Sequence, residues 1–176
     1  MNTGQVLLVI FAFVFLSTVM LNFNQTTALG MSSVDYAQRG ILLNTVATSY
    51  AEIIRGLSYD EQSDTNWVPA NQLTLFTPSN MLGPESAAED SISSMNDVDD
   101  FNGQTFEKEI TGTGKIFRSI FHVYYVNPQD PTQVMNTQTL VKRVDMDTWQ
   151  ISPPVSDPTP GDTLHSQILI GYYHFN

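Results

Sequence analysis

The run from Val6 to Leu21 is apolar on every helical face, interrupted only by Ser17 and Thr18, and no lysine or arginine precedes Arg39. At about 1.5 Å per residue, the run is just long enough to approach the thickness of a hydrocarbon core. Phenylalanine and leucine at this density cannot face water, so the segment belongs in lipid or in a protein interior. Asp35 is the single acid among residues 1–38, and nearly all remaining charge lies beyond Arg39. Two physical regimes therefore share one chain.

A cleaved secretory signal opens on a basic region and ends at a small-residue cleavage site, and neither pattern is evident here. A signal anchor carries Lys or Arg on its cytoplasmic flank, and Met1-Asn2-Thr3-Gly4-Gln5 offers none. The expectation is that a short basic leader has already been removed. An initiator Met1 with no cleavage reads the same way.

Beyond Leu21 no proline occurs before Leu57, and apolar residues recur at Val34, Ala37, Ile41, Leu43, Val46, Tyr50, Ile53, Ile54 and Leu57. Spacings of three and four predict an amphipathic helix continuing the apolar one. Asn22, Asn24, Gln25, Thr26 and Thr27 separate the two halves, and Gly30 and Gly40 each cost about 1 kcal/mol against alanine. Local unwinding over residues 22–30 is expected on this basis. About 55 residues of helix extend roughly 80 Å, so half of it is expected to protrude from the small head that follows.

The opening Gly4-Gln5-Val6-Leu7-Leu8-Val9-Ile10, with the long helix and the layout of the whole chain, resembles the type IV pilin superfamily. In that family a prepilin is cleaved near the start of its hydrophobic segment, and the exposed helices pack into a filament core. Most members carry a glutamate, proposed to pair with a neighbour's N-terminal amine, at the place that Gln5 takes if Met1 is the mature end. The Gln5 amide accepts a hydrogen bond but brings no charge, which weakens electrostatic guidance of assembly. A helix-melting proline found in many bacterial members near the place of Asn22 is also missing. The resemblance implies assembly through Met1, Gln5, Val6, Leu7, Val9, Ile10, Phe11, Phe13, Val14 and Phe15, with the apolar run continuing to Leu21. It further implies N-terminal methylation, a prepilin peptidase and inner-membrane assembly machinery as partners, and a membrane location before export to the cell surface.

Residues 58–103 are rich in Ser, Asn, Asp, Pro and Gly and read as an irregular wrapping segment with one apolar patch, Leu73 to Phe76. Four strand-like stretches follow at 104–110, 115–126, 137–149 and 163–175. Turns are signalled by Gly112-Thr113-Gly114, by Asn127 to Pro131 and by the proline-rich 152–161. In the second stretch Phe117, Ser119, Phe121, Val123 and Tyr125 alternate with Ile116, Arg118, Ile120, His122 and Tyr124, so neither face is purely polar. One face is expected to pack on the amphipathic helix and the other to meet a neighbouring subunit or the wrapping segment. Tyr172, Tyr173 and Phe175 read as core rather than as a stacking site for a ligand.

The three histidines, His122, His165 and His174, lie in strands without metal-binding spacing, and no Gly-x-Ser-x-Gly elbow or phosphate loop occurs. No enzymatic activity is expected. One cluster, Asn96-Asp97-Val98-Asp99-Asp100-Phe101-Asn102-Gly103, places Asp97, Asp99, Asp100 and Asn102 close enough to supply oxygen ligands to calcium. Its spacing is not that of an EF-hand, and a plain turn uses the same residues. Seven basic residues against 18 acidic ones, a net charge of −11, argue against a nucleic-acid partner. The absence of cysteine removes disulfides and thiolate chemistry. Asn24-Gln25-Thr26 fits a glycosylation sequon but lies in a helix expected to be buried.

The expected fold is α+β: a long N-terminal helix, hydrophobic in its first half and amphipathic in its second, on a four-stranded antiparallel sheet. Residues 1–29 are assigned to a filament core or membrane, 30–57 to packing on the head, and 58–176 to the head. The expected function is that of a subunit of an extracellular pilus-like filament serving adhesion, motility or surface attachment through self-association. A minor pilin or secretion-system pseudopilin, and a membrane-anchored binding module, are the alternatives.

Overall fold

The computed structural model describes residues 2–65, 67–69, 71–86, 89, 91–154 and 162–172. Helix α1 spans Thr3–Arg55 and a short α2 spans Glu61–Thr65. Five strands follow: β1 Thr105–Ile110, β2 Lys115–Asn127, β3 Asp130–Val134, β4 Val141–Ser152 and β5 Thr163–Gly171. The fold is α+β, with one antiparallel sheet in the order β1-β2-β4-β5 and β3 paired to β2. Contacts divide the chain into one unit ending at Ile41 and another beginning at Leu42.

In the first unit α1 is unbroken through residues 22–30, where unwinding was expected. The hydroxyls of Thr26 and Thr27 donate to the Asn22 and Phe23 carbonyls at 2.9 Å each. They add to the backbone ladder instead of competing with it, and no proline removes a donor.

In the second unit the last four turns of α1 present Leu43, Val46, Ala47, Tyr50 and Ile54 as one buried stripe. The expected packing over 30–57 thus begins at Leu42, because Met31, Val34 and Ile41 are exposed. The stripe meets Phe117, Phe121 and Val123 of β2, Val144 and Met146 of β4, and Ile168 of β5. The Tyr50 ring sits edge-on to Phe121 at 5.2 Å, and Phe101 approaches Phe121 from another side at 5.1 Å. Ser119 and Thr148 share this inner face and bond to each other across the strands at 2.8 Å, which satisfies both hydroxyls. The outer face of the sheet carries ion pairs instead, Arg118 on Glu107 between β2 and β1 at 2.6 Å and Arg143 on Asp145 along β4 at 2.9 Å.

Gly112 and Gly114 adopt φ of +80° and +65° in the β1–β2 turn, conformations that favour glycine. The 127–131 turn is shorter than expected: Asn127 pairs with Asp130, and β3 starts there, making five strands. Pro131 hides this strand from a sequence reading, but an edge strand tolerates proline. The third expected stretch starts late, at Val141. Thr139 Oγ1 donates to Val126 O or Val141 O, at 2.8 and 2.9 Å, and this local bonding displaces ladder pairing before β4. Tyr172 packs on Tyr59 and Phe76 at 5.5 and 5.2 Å, in a second core cluster with Val68 and Tyr125. Met1, Tyr173, His174 and Phe175 lie outside the described residues, as do 155–161 of the proline-rich turn.

Candidate functional site

Two features stand apart from ordinary core building. The first is the N-terminal part of α1. Leu7, Phe11 and Phe15 are 65, 72 and 62 % exposed, and none of the most apolar stretch is buried. The helix is long and apolar enough to cross a bilayer. Its polar groups fit such surroundings, because the Thr18 hydroxyl donates to the Val14 carbonyl at 2.9 Å, as those of Thr26 and Thr27 do one turn back from themselves.

At the start of this helix, Gln5 folds back on its own chain. The Asn2 N–H donates to Gln5 Oε1 at 3.3 Å, while the Gln5 N–H donates to the Asn2 carbonyl at 2.8 Å. This is the side-chain half of a capping box and satisfies a backbone donor that the helix leaves open. Val6, Leu7, Val9, Ile10, Phe11, Phe13, Val14 and Phe15 follow directly, all of them exposed.

The second feature is a buried cluster of charge in the other unit. The loop from Asn96 is tied to the chain leaving α1, with the Val98 N–H on the Ser58 carbonyl at 3.0 Å and the Ser58 N–H on the Asn96 carbonyl at 3.2 Å. Asp97 Oδ1 accepts the N–H groups of Asp99 and Asp100 at 2.8 and 3.3 Å. Asp100 Oδ2 accepts those of Asn96 and Asp97 at 2.9 and 3.3 Å. Lys142 Nζ donates to Asp99 Oδ1, to Asp60 Oδ2 at 3.2 Å and to the Tyr59 carbonyl at 2.6 Å. It also lies 4.7 Å from the centre of the Tyr59 ring and 5.4 Å from that of Tyr125.

Asp60, Asp97, Asp99, Asp100 and Lys142 are all fully buried. Burial pushes the Asp97 carboxyl up to about 8, with the Asp99 charge adding to the effect and Lys142 opposing it. Burial likewise drives the Tyr59 and Tyr125 hydroxyls far up. Of the four residues expected as calcium ligands, the structure brings Asp97, Asp99 and Asp100 into this cluster. Asn102 is occupied elsewhere: its amide donates to the Leu82 carbonyl at 2.9 Å, and its Oδ1 accepts the Val123 N–H at 3.0 Å. That bond fills the gap on the β2 edge between β1 and β3.

No family model, curated protein or solved structure matches the chain. The long apolar helix, packed through its C-terminal turns on an antiparallel sheet, is compatible with a pilin-like fold.

Lys142 and Asp60 escaped the sequence reading, although β4 carries a signal for the first. Lys142 alternates in register with Val144, Met146 and Thr148, which puts its charge on the buried face. Glu85, whose carboxylate reaches the aspartate cluster, lies in the aperiodic segment where no spacing marks it. His122 is exposed beside Tyr124, and His165 Nδ1 lies 2.6 Å from Asp147 Oδ1 on the exposed side of the sheet.

Proposed function

We propose that the chain is the structural subunit of an extracellular, type IV pilus-like filament that polymerises through the N-terminal part of α1. The observation that carries this reading is the exposure of apolar side chains on every face of a helix that has no charge before Asp35. A bilayer satisfies such a surface before assembly, and other copies of the same helix satisfy it afterwards. Contacts that do not close on themselves generate a helical polymer. Adhesion, motility or surface attachment then follow from the filament, and export calls for a processing peptidase and inner-membrane assembly machinery.

Replacing Phe11 and Phe15 together by serine tests the reading. Losing two buried aromatic contacts between subunits lowers the amount of filament recovered by shearing by about tenfold or more. The folded protein stays in the membrane fraction. Unchanged filament yield would contradict packing through this part of α1.

A further inference from the structure

Each of the three buried aspartates in the loop after Asn96 spends one oxygen on the fold and leaves the other bare. Asp97 Oδ1 serves two backbone N–H groups, Asp99 Oδ1 serves Lys142, and Asp100 Oδ2 serves two further N–H groups. Asp97 Oδ2, Asp99 Oδ2 and Asp100 Oδ1 are buried and find no hydrogen-bond donor among the described residues. A buried carboxylate oxygen without a donor costs free energy that a turn alone does not require, since a turn is complete with the first oxygen.

Charge gives the same direction independently. Asp60, Asp99 and Asp100 put three carboxylates in this region, with the Asp97 carboxyl group beside them, against Lys142, the one buried cation among the described residues. Glu85 closes the group from the solvent side, and carboxylate oxygens of Glu85, Asp97 and Asp99 all lie within 4.8 Å of one another. Opposed ligands of calcium stand about 4.6–5.2 Å apart, twice its usual 2.3–2.6 Å bond length. The donor set is all carboxylate oxygen, with neither nitrogen nor sulfur, which suits a hard cation. Glu85 also meets Glu89 and Asp100 within the same limit, which brings the third bare oxygen's residue beside the first group.

We propose that Glu85, Asp97 and Asp99 bind one calcium ion, with Asp100 and Glu89 as the flanking acids of the same site. Water completes a shell of six to eight oxygens. Binding pins the wrapping segment at Glu85 to the loop that is already tied to Ser58, and so joins the chain on both sides of the site. This assignment stands apart from polymerisation, because every ligand lies in the unit that begins at Leu42.

The test is a calorimetric calcium titration and a thermal melt of the detergent-solubilised full chain, stripped of metal with a chelator. Saturable uptake of one ion per chain is expected, with a rise in melting temperature that an equal concentration of magnesium does not match. Asp97→Asn keeps the Oδ1 acceptor that shapes the loop and loses the bare carboxylate oxygen, so it folds and binds at least tenfold more weakly. Glu85→Gln changes an exposed side chain, and the fold does not depend on it. It too weakens binding by at least tenfold. No heat and no melting shift up to about 10 mM calcium, well above the weakest extracellular modules, overturns the proposal. So does undiminished binding in both variants, which would place the ion elsewhere.

Discussion

Phe13 and Phe121 are the same side chain in two opposite situations: the first is 66 % exposed in the N-terminal part of α1, and the second is completely buried under its C-terminal part. The helix is continuous between its two ends, so backbone structure does not distinguish them. The pattern of side chains does. From Leu43 to Ile54 the apolar residues keep to one face, and the sheet of the same chain covers that face. From Val6 to Leu21 they occupy all faces, and no single sheet can cover a cylinder on every side. An apolar stripe is thus a demand for an intramolecular partner, whereas an apolar cylinder is a demand for a surrounding medium or for several neighbours.

Truncating the two rings separates the two situations most sharply. Phe121→Ala removes a ring packed against Tyr50, Phe101 and Phe106 and destabilises the head by about 3–5 kcal/mol. Phe13→Ala leaves it within about 0.5 kcal/mol. Denaturant titration of the full chain in micelles, followed by near-ultraviolet circular dichroism, reads both. Equal losses would mean that the two parts of α1 do not differ as described.

Lys142→Ala comes next, at about 3 kcal/mol, because it leaves the Asp60 and Asp99 carboxylates buried without their cation. The same titration measures it, and a neutral result would remove Lys142 from the interior.

A smaller effect is expected from pH. The Asp97 carboxyl is raised from 3.8 to about 8 by burial, so the folded chain holds this proton through a window in which the unfolded chain has released it. Stability in chelator therefore decreases as pH rises from about 4 to about 8, and it is fully present below the lower value. Asp97→Asn flattens that dependence. Melting temperatures across the window decide the point, and a slope that the variant leaves intact would assign it to another group.

The smallest effect belongs to Gly30→Ala. A Cβ there meets nothing within 4 Å in the single chain, so the helix gains about 1 kcal/mol in propensity, visible as added helicity in micelles. A drop in filament yield from the same variant would locate a close neighbour at Gly30 in the polymer.

The two parts of the molecule were also unequally legible in the sequence. Three- and four-residue spacing was enough to identify the Leu43-to-Ile54 stripe, because that pattern is local. Period-two alternation separated the two faces of β2 without marking the inner one, since Ile116, Ile120 and Tyr124 make the other face apolar too. β3 was concealed by Pro131, whose effect depends on the strand being at an edge, a property of the sheet and not of the segment. The acid cluster was visible as Asp97, Asp99 and Asp100. Its partners Asp60, Glu85 and Lys142 come from distant parts of the chain, joined by the fold alone. Asn102 carries the side chain of a ligand but spends it on Leu82 and Val123 at the sheet edge.

Negative-stain electron microscopy of material sheared from the surface of cells producing the chain, with mass spectrometry of its N-terminal peptide, separates a filament subunit from a membrane tether. Thin filaments are expected, whose main component carries the peptide containing Gln5 and the apolar run at its processed end. A protein that remains in the membrane fraction as a non-fibrous species would contradict that expectation and leave α1 as a tether.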